Sequence, residues 1–151
     1  MAMTMNGEYE LAVPPQTVWE KLNDAATLKA CIPGCEQLDK TSDTEFQAVA
    51  TVKIGPVKAK FKGKVTLSDL DPPNGYKISG QGDGGVAGFA KGGATVKLTS
   101  KNGGTMLAYN VDAQIGGKLA QLGQRLVNGA AKKIADDFFA NFANAVNPKP
   151  A

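Results

Sequence analysis

Leu119-Ala120-Gln121-Leu122-Gly123-Gln124-Arg125-Leu126-Val127-Asn128-Gly129-Ala130-Ala131-Lys132-Lys133-Ile134-Ala135-Asp136-Asp137-Phe138-Phe139-Ala140-Asn141-Phe142 is the longest stretch with a single period. Leu119, Leu122, Leu126, Ala130, Ile134, Phe138 and Phe142 recur at spacings of three and four, which predicts one apolar stripe on a helix over 118–145. At 1.5 Å per residue such a helix is roughly 40 Å long, enough to cross a whole domain. Upstream, from Glu36 to Ile115, the period is two. Strands are expected at about 36–41, 45–54, 57–69, 76–82, 89–99 and 105–115, separated by Ser42-Asp43, Gly55-Pro56, Pro72-Pro73-Asn74-Gly75, the glycines near 84–88 and Asn102-Gly103-Gly104. The connections are short, so neighbouring strands should be antiparallel. Tyr9, Leu11 and Val13 alternate with Glu8 and Glu10 in a first strand closed by Pro14-Pro15. Two short helices follow, Gln16 to Leu22 and Ala25 to Cys31, the second capped by Asp24 and ended by Pro33-Gly34. The fold class is α+β, in the order β-α-α-β6-α, with a curved antiparallel sheet gripping the terminal helix. One domain over 4–146 and a proline-containing tail over 147–151 are expected.

Alternation also sorts the faces of that sheet. Phe46, Ala48, Ala50, Val52 and Ile54, then Val57, Ala59, Phe61, Gly63 and Val65, fall inward. Lys58, Lys60, Lys62 and Lys64 fall outward, and a hairpin at Gly55-Pro56 sets Lys53 opposite Lys58. The inward set is rich in small residues: Ala48, Ala50, Ala59, Gly63, Gly80, Gly82, Ala90 and Ala94. Interiors are close-packed, so either the layers approach closely or an apolar cavity lies between them, framed by Trp19, Phe61, Phe89, Tyr109 and Phe138.

Composition excludes much chemistry. The 151 residues include no histidine, so no Ser-His-Asp or Cys-His arrangement exists and the commonest metal ligand is missing. Two cysteines alone do not complete a tetrahedral zinc site, and no metal or cofactor is expected. Cys31 and Cys35 lack the C-x-x-C spacing and read as thiols, more simply packing than redox groups. Seventeen basic residues against fourteen acidic give a formal charge of +3. Arg125 is the only arginine, so base-specific nucleic-acid reading is not expected. No signal-like or membrane-spanning run is present in this sequence.

Gly80-Gln81-Gly82-Asp83-Gly84-Gly85 matches G-x-G-x-x-G, but the β-like stretch from Phe89 to Thr99 follows where a dinucleotide site needs a helix. It reads as a glycine-rich turn or a mobile loop, placed to gate a cavity mouth. Gly116-Gly117-Lys118 lacks the remainder of a phosphate loop. The lysine ladder reads either as a solvated strand face or as a surface for an anionic partner or membrane. Lys91, Tyr76 and Asp112 are titratable, yet no spacing groups them into an acid–base site.

Two stretches resemble a known family. Leu28-Lys29-Ala30-Cys31-Ile32-Pro33-Gly34-Cys35-Glu36, after Trp19, and Val111-Asp112-Ala113-Gln114-Ile115-Gly116-Gly117-Lys118-Leu119-Ala120-Gln121-Leu122-Gly123-Gln124-Arg125-Leu126 resemble the hallmarks of the CoxG-like family of carbon monoxide dehydrogenase proteins. Ile54-Gly55-Pro56-Val57-Lys58-Ala59-Lys60-Phe61-Lys62-Gly63 fits the same pattern, and the resemblance runs from about Met5 to Val146. It implies the START-like (SRPBCC, Bet v 1-like) helix-grip fold, which typically encloses a pocket for apolar ligands. It also implies a non-catalytic accessory protein of a molybdenum hydroxylase of the carbon monoxide dehydrogenase type. Family members are implicated in tethering that enzyme to the membrane or connecting it with the quinone pool. Longer members carry a hydrophobic C-terminal anchor; this sequence reaches Ala151 without one, as either a short member or a truncated chain would.

The resulting expectation is a cytoplasmic binding protein, with peripheral contact at the inner face of the membrane. It would hold a lipid-like or quinone-like molecule between sheet and terminal helix. Trp19, Ala50, Phe61, Gly63, Phe89, Tyr109, Leu122 and Leu126 are the residues expected to line or gate the pocket. Lys58, Lys60, Lys62 and Lys64 are expected to meet the partner enzyme or the membrane. The alternative is a structural or maturation factor with a filled core that acts only through its surface.

Overall fold

The computed structural model describes residues 1–146. The proline tail expected over 147–151 lies outside them. The first strand, β1 (Ala2–Leu11), leads into α1 (Pro15–Leu22) and α2 (Ala25–Cys31). Six strands follow: β2 (Cys35–Ser42), β3 (Glu45–Ile54), β4 (Val57–Asp71), β5 (Gly75–Asp83), β6 (Phe89–Lys101) and β7 (Gly104–Gly116). Helices α3 (Lys118–Gln121) and α4 (Gln124–Val146) close the described chain. The sheet runs β1-β7-β6-β5-β4-β3-β2 with antiparallel neighbours throughout, so the first strand pairs with the last.

Local chemistry explains the short elements. Pro15 sits at the first turn of α1, where its missing N–H has no helical acceptor to satisfy. The Asp24 side chain accepts the Thr27 amide and caps α2. In the β3–β4 hairpin Phe46 pairs with Val65, Ala48 with Gly63 and Ala50 with Phe61, while Lys53 stands opposite Lys58. The turn falls on Gly55-Pro56, with Gly55 at φ +56°, a conformation glycine adopts without a Cβ penalty.

The helix expected over 118–145 is two helices. Gly123 adopts φ +92°, the amides of Leu122 and Gly123 fold back onto the carbonyls of Leu119 and Ala120, and the axis restarts at Gln124. The 23 residues of α4 span about 34 Å rather than 40. The restart also rotates the apolar stripe. Val127, Phe142 and Val146 are buried, whereas Leu126 and Ile134 of the expected stripe are 41% and 36% exposed. The first strand likewise differs: it starts at Ala2 and stops at Leu11, so Val13 is buried beyond its end.

Side chains pack into two cores at opposite ends of the layer between sheet and helices. The larger joins Val18, Leu22 and Cys31 to Phe46, Leu67, Tyr76, Leu107 and Phe142. Thr105, the buried polar residue in this region, donates its hydroxyl to the Val13 carbonyl at 2.7 Å. Asn141 donates to the Cys31 carbonyl at 3.0 Å and ties α4 to α2. The smaller core gathers Met3, Ile115, Leu119 and Val127.

Candidate functional site

Between the two cores the inner face of the sheet is nearly bare. Ala48, Gly63, Gly82 and Ala90 lie side by side across β3 to β6, and Gly80, Gly92 and Ala113 form the adjoining row. A methyl group added at Gly63, Gly80 or Gly82 would meet only atoms of the sheet itself; no helix atom lies within reach. All three stay partly accessible, and Gly63 and Gly82 also border a groove on the opposite face of the sheet. The helices pack onto the two ends of this face, and none of the atoms nearest these glycines in its middle belongs to a helix.

An apolar hollow opens at each end of the bare floor. The first, about 260 Å³, is lined by Leu22, Leu28 and Ile32 from the short helices and Phe138 and Phe139 from α4. The sheet contributes Leu38, Phe46, Val65, Leu67, Tyr76, Ile78, Val96 and Leu107 to it. The second, about 200 Å³, is bounded by Met3, Val52, Ile54, Phe61, Ala90 and Ile115 of the sheet and Leu119, Val127, Ala131 and Ile134 of the helices. Each is smaller than the roughly 300–1,000 Å³ of a drug-sized site, and together they fall within that range.

An aromatic stack stands beside the hollows. Tyr9 lies 4.2 Å from Phe139 and Tyr109 5.3 Å from it, centroid to centroid. The Tyr9 hydroxyl donates to Asp136 at 2.5 Å, and Lys132 donates to the other carboxylate oxygen at 2.8 Å. Burial, then this bond, raises the Tyr9 pKa above the ordinary phenol value. Tyr76 is raised by burial alone, and its ring meets Trp19 edge to face at 5.2 Å.

The residues expected to line a pocket are dispersed. Phe61 borders the second hollow, and Ala50 and Gly63 sit on the inner face of the floor. Trp19 stands behind Tyr76, and Tyr109 belongs to the aromatic stack. Leu122 packs at the α3–α4 break, and Leu126 covers the turn at Gly55. Phe89 shares the outward phase of Lys91, 48% exposed, with its ring over Gly116. The loop that precedes it reverses the chain through a three-residue 3₁₀ turn, Gly85–Ala87, and β6 keeps the expected facing: Ala90 points inward beside Ile115 at the second hollow, which turns Phe89 outward. The lining of the first hollow was legible in part: the alternation Tyr76, Ile78, Gly80, Gly82 on β5 marks that face.

The outer face carries a different recess, a shallow open groove of about 800 Å³. Gln37, Asp39, Gln47, Lys62, Lys64, Gln81, Asp83 and Lys91 border it, with Val86 and Phe89 at one end. The lysine ladder is only partly neutralised there. Lys60 reaches Glu36 at 3.3 Å and Lys64 reaches Glu45 at 3.4 Å, all largely exposed and individually worth little. Cys31 and Cys35 are free, and burial pushes the Cys31 thiol up. The described residues hold no group of three or more metal-ligating side chains.

Comparison with known proteins fixes the lineage of this scaffold. The model of the carbon monoxide dehydrogenase CoxG family matches residues 7–147. The chain belongs to the CoxG family. Among solved structures, a conserved protein from Geobacillus kaustophilus is 34% identical, with a TM-score of 0.89 and 95% of each chain covered. Ara h 8.0201 matches at 16% identity and a TM-score of 0.69, over 97% of this chain and 98% of its own. The Zhui aromatase/cyclase from Streptomyces sp. R1128 matches at 12% identity and 0.70, over 97% and 94%. These two show the fold alone: this CoxG-family chain has the Bet v 1-like, START-like helix-grip fold. No curated protein matches the chain. No helix among the described residues is long and apolar enough to cross a membrane.

Proposed function

We propose that this chain is a non-catalytic binding protein that holds a lipid-like or quinone-like molecule between the sheet and α4. In this reading it accompanies a carbon monoxide dehydrogenase-type molybdenum hydroxylase and links that enzyme to the membrane or the quinone pool. The observation that carries the reading is the pair of apolar hollows at either end of a glycine- and alanine-lined floor. Neither lining carries a carboxylate, an amine or a thiol, so the side chains there suit solvation of an apolar body rather than proton transfer. Family membership supports the accessory role and the partner enzyme.

Native mass spectrometry with organic extraction tests this directly. A stoichiometric apolar adduct is expected from the wild type. Ala50→Leu, which places a branched side chain on the floor, should fold and lose it. A clean apo mass that persists after incubation with quinones and phospholipids would sink the reading. It would favour a scaffold or maturation factor acting through the outer groove, the reading supported by the lysines that border that groove. The lysine ladder would then meet the partner, and reversal of Lys58, Lys60, Lys62 and Lys64 to glutamate would break that contact.

A further inference from the structure

We infer that Tyr76 is the polar anchor of the first hollow and selects an uncharged occupant that presents a hydrogen-bond-accepting oxygen, such as a ketone or quinone carbonyl. This rests on the binding reading above and adds the end group that the site recognises.

The first hollow has one polar side-chain atom on its lining, the Tyr76 hydroxyl; every other lining side chain is hydrocarbon. Tyr76 is 6% exposed and faces inward from β5, in the row Tyr76, Val96, Tyr109. Its ring orientation is fixed from behind by the edge-to-face contact with Trp19. The hydroxyl makes no hydrogen bond to any described residue, and burial is the only influence on its pKa. Buried tyrosine hydroxyls usually find a partner, because an unpaired donor in apolar surroundings keeps its full desolvation penalty. The other polar groups of this layer obey that rule: Thr105 donates to Val13, and Tyr9 donates to Asp136. Tyr76 has no such partner, and since no fully buried side-chain polar atom of the described residues is unpaired, its hydroxyl must touch open space; the first hollow is space that Tyr76 lines.

The sense of the missing bond follows from the phenol. Held neutral by burial, it keeps its proton and is a donor, so the occupant supplies the acceptor. Charge is disfavoured in either sign. A carboxylate would find no lysine or arginine on the lining, and an ammonium would find no carboxylate. A neutral carbonyl on an apolar body meets both conditions.

Trp19 is the single tryptophan and touches Tyr76, so its fluorescence reports occupancy of this hollow. The full chain and Tyr76→Phe would be titrated with nonan-2-one, n-nonane and nonanoate, with calorimetry as a second readout. The ketone-to-alkane affinity ratio should be about two- to tenfold higher in wild type than in Tyr76→Phe, the range one net hydrogen bond supplies. Nonanoate should bind most weakly. In Tyr76→Phe the ketone should lose that factor, because its carbonyl is buried without a partner, while alkane affinity is unchanged. Its thermal midpoint should not fall, because the phenol has no protein hydrogen bond to lose. A ketone-to-alkane ratio that is the same in wild type and Tyr76→Phe overturns the role of Tyr76 and leaves the hollow as a binding site. Tightest binding of nonanoate overturns the neutral-ligand selection. If none of the three binds by either readout, this inference and the binding reading fail together.

Discussion

Asp136 shows how one side chain on α4 joins the aromatic stack to the helix surface. Its two oxygens accept from Tyr9 and Lys132, and the Lys132 bond, followed by that of Tyr9, lowers its pKa from the ordinary 3.8. A carboxylate whose folded pKa is depressed contributes stability above its unfolded pKa, and that contribution disappears as pH falls through the folded value. Asp136→Asn should therefore lower the urea midpoint at pH 7, and the gap to wild type should close below about pH 4. An equal gap at pH 7 and pH 3 would show that the carboxylate charge is not what matters. Tyr9 acts with the opposite sign: its raised pKa contributes stability below the ordinary phenol value, and that stability is lost as pH rises beyond it. Tyr76 follows the same sign. Residue type marked Tyr76 as titratable, but the sequence could not reveal its apolar surroundings. Those surroundings depend on Leu22, Phe138 and Leu107, brought together from three distant segments.

Elements were legible where one period governed them. The alternation of Phe46 to Ile54 and of Val57 to Val65 fixed both facing and register, because a slip by one residue would have turned Lys58 and Lys60 onto the apolar side. The break at Gly123 was not legible, since Leu119, Leu122 and Leu126 keep helical spacing straight through it and a lone glycine is tolerated inside helices. Phe89 was misplaced for a different reason: with Ala90 and Ala94 inward, alternation already turns Phe89 outward, and placing it at the pocket weighed its bulk above its position in the strand. Gly123 offers a direct check. No atom lies within 4 Å of a Cβ placed there, so crowding is not an obstacle; only the left-handed backbone is. Gly123→Ala should cost about 1–2 kcal/mol in urea unfolding. Unchanged or increased stability would mean that α3 and α4 can merge into one helix, which would shift Leu122 and Leu126 and alter the second hollow.

At the scale of the molecule, the sheet does two jobs with its two faces. Inside, large side chains gather at the ends and leave a small-residue floor between them, so apolar space is kept open in a layer that otherwise packs densely. Outside, cations concentrate on β3 and β4. Lys60 and Lys64 have carboxylate partners, but Lys53 and Lys58 face each other directly across the hairpin. Like charges opposite one another in a sheet destabilise it mildly, and salt screens them. Lys58→Glu replaces that repulsion by an attraction across the same pair. The variant should unfold at a higher urea concentration than wild type in dilute buffer, and the advantage should shrink toward zero at about 1 M salt. If wild type is the more stable of the two at low salt, the ladder is not under the electrostatic strain that its register implies. If Lys58→Glu is more stable yet binds vesicles of anionic lipid or the partner enzyme more weakly, the ladder gives up stability to present positive charge. That pairing of results would mark this face as a contact surface, because a merely solvated face has no reason to keep Lys58 against Lys53.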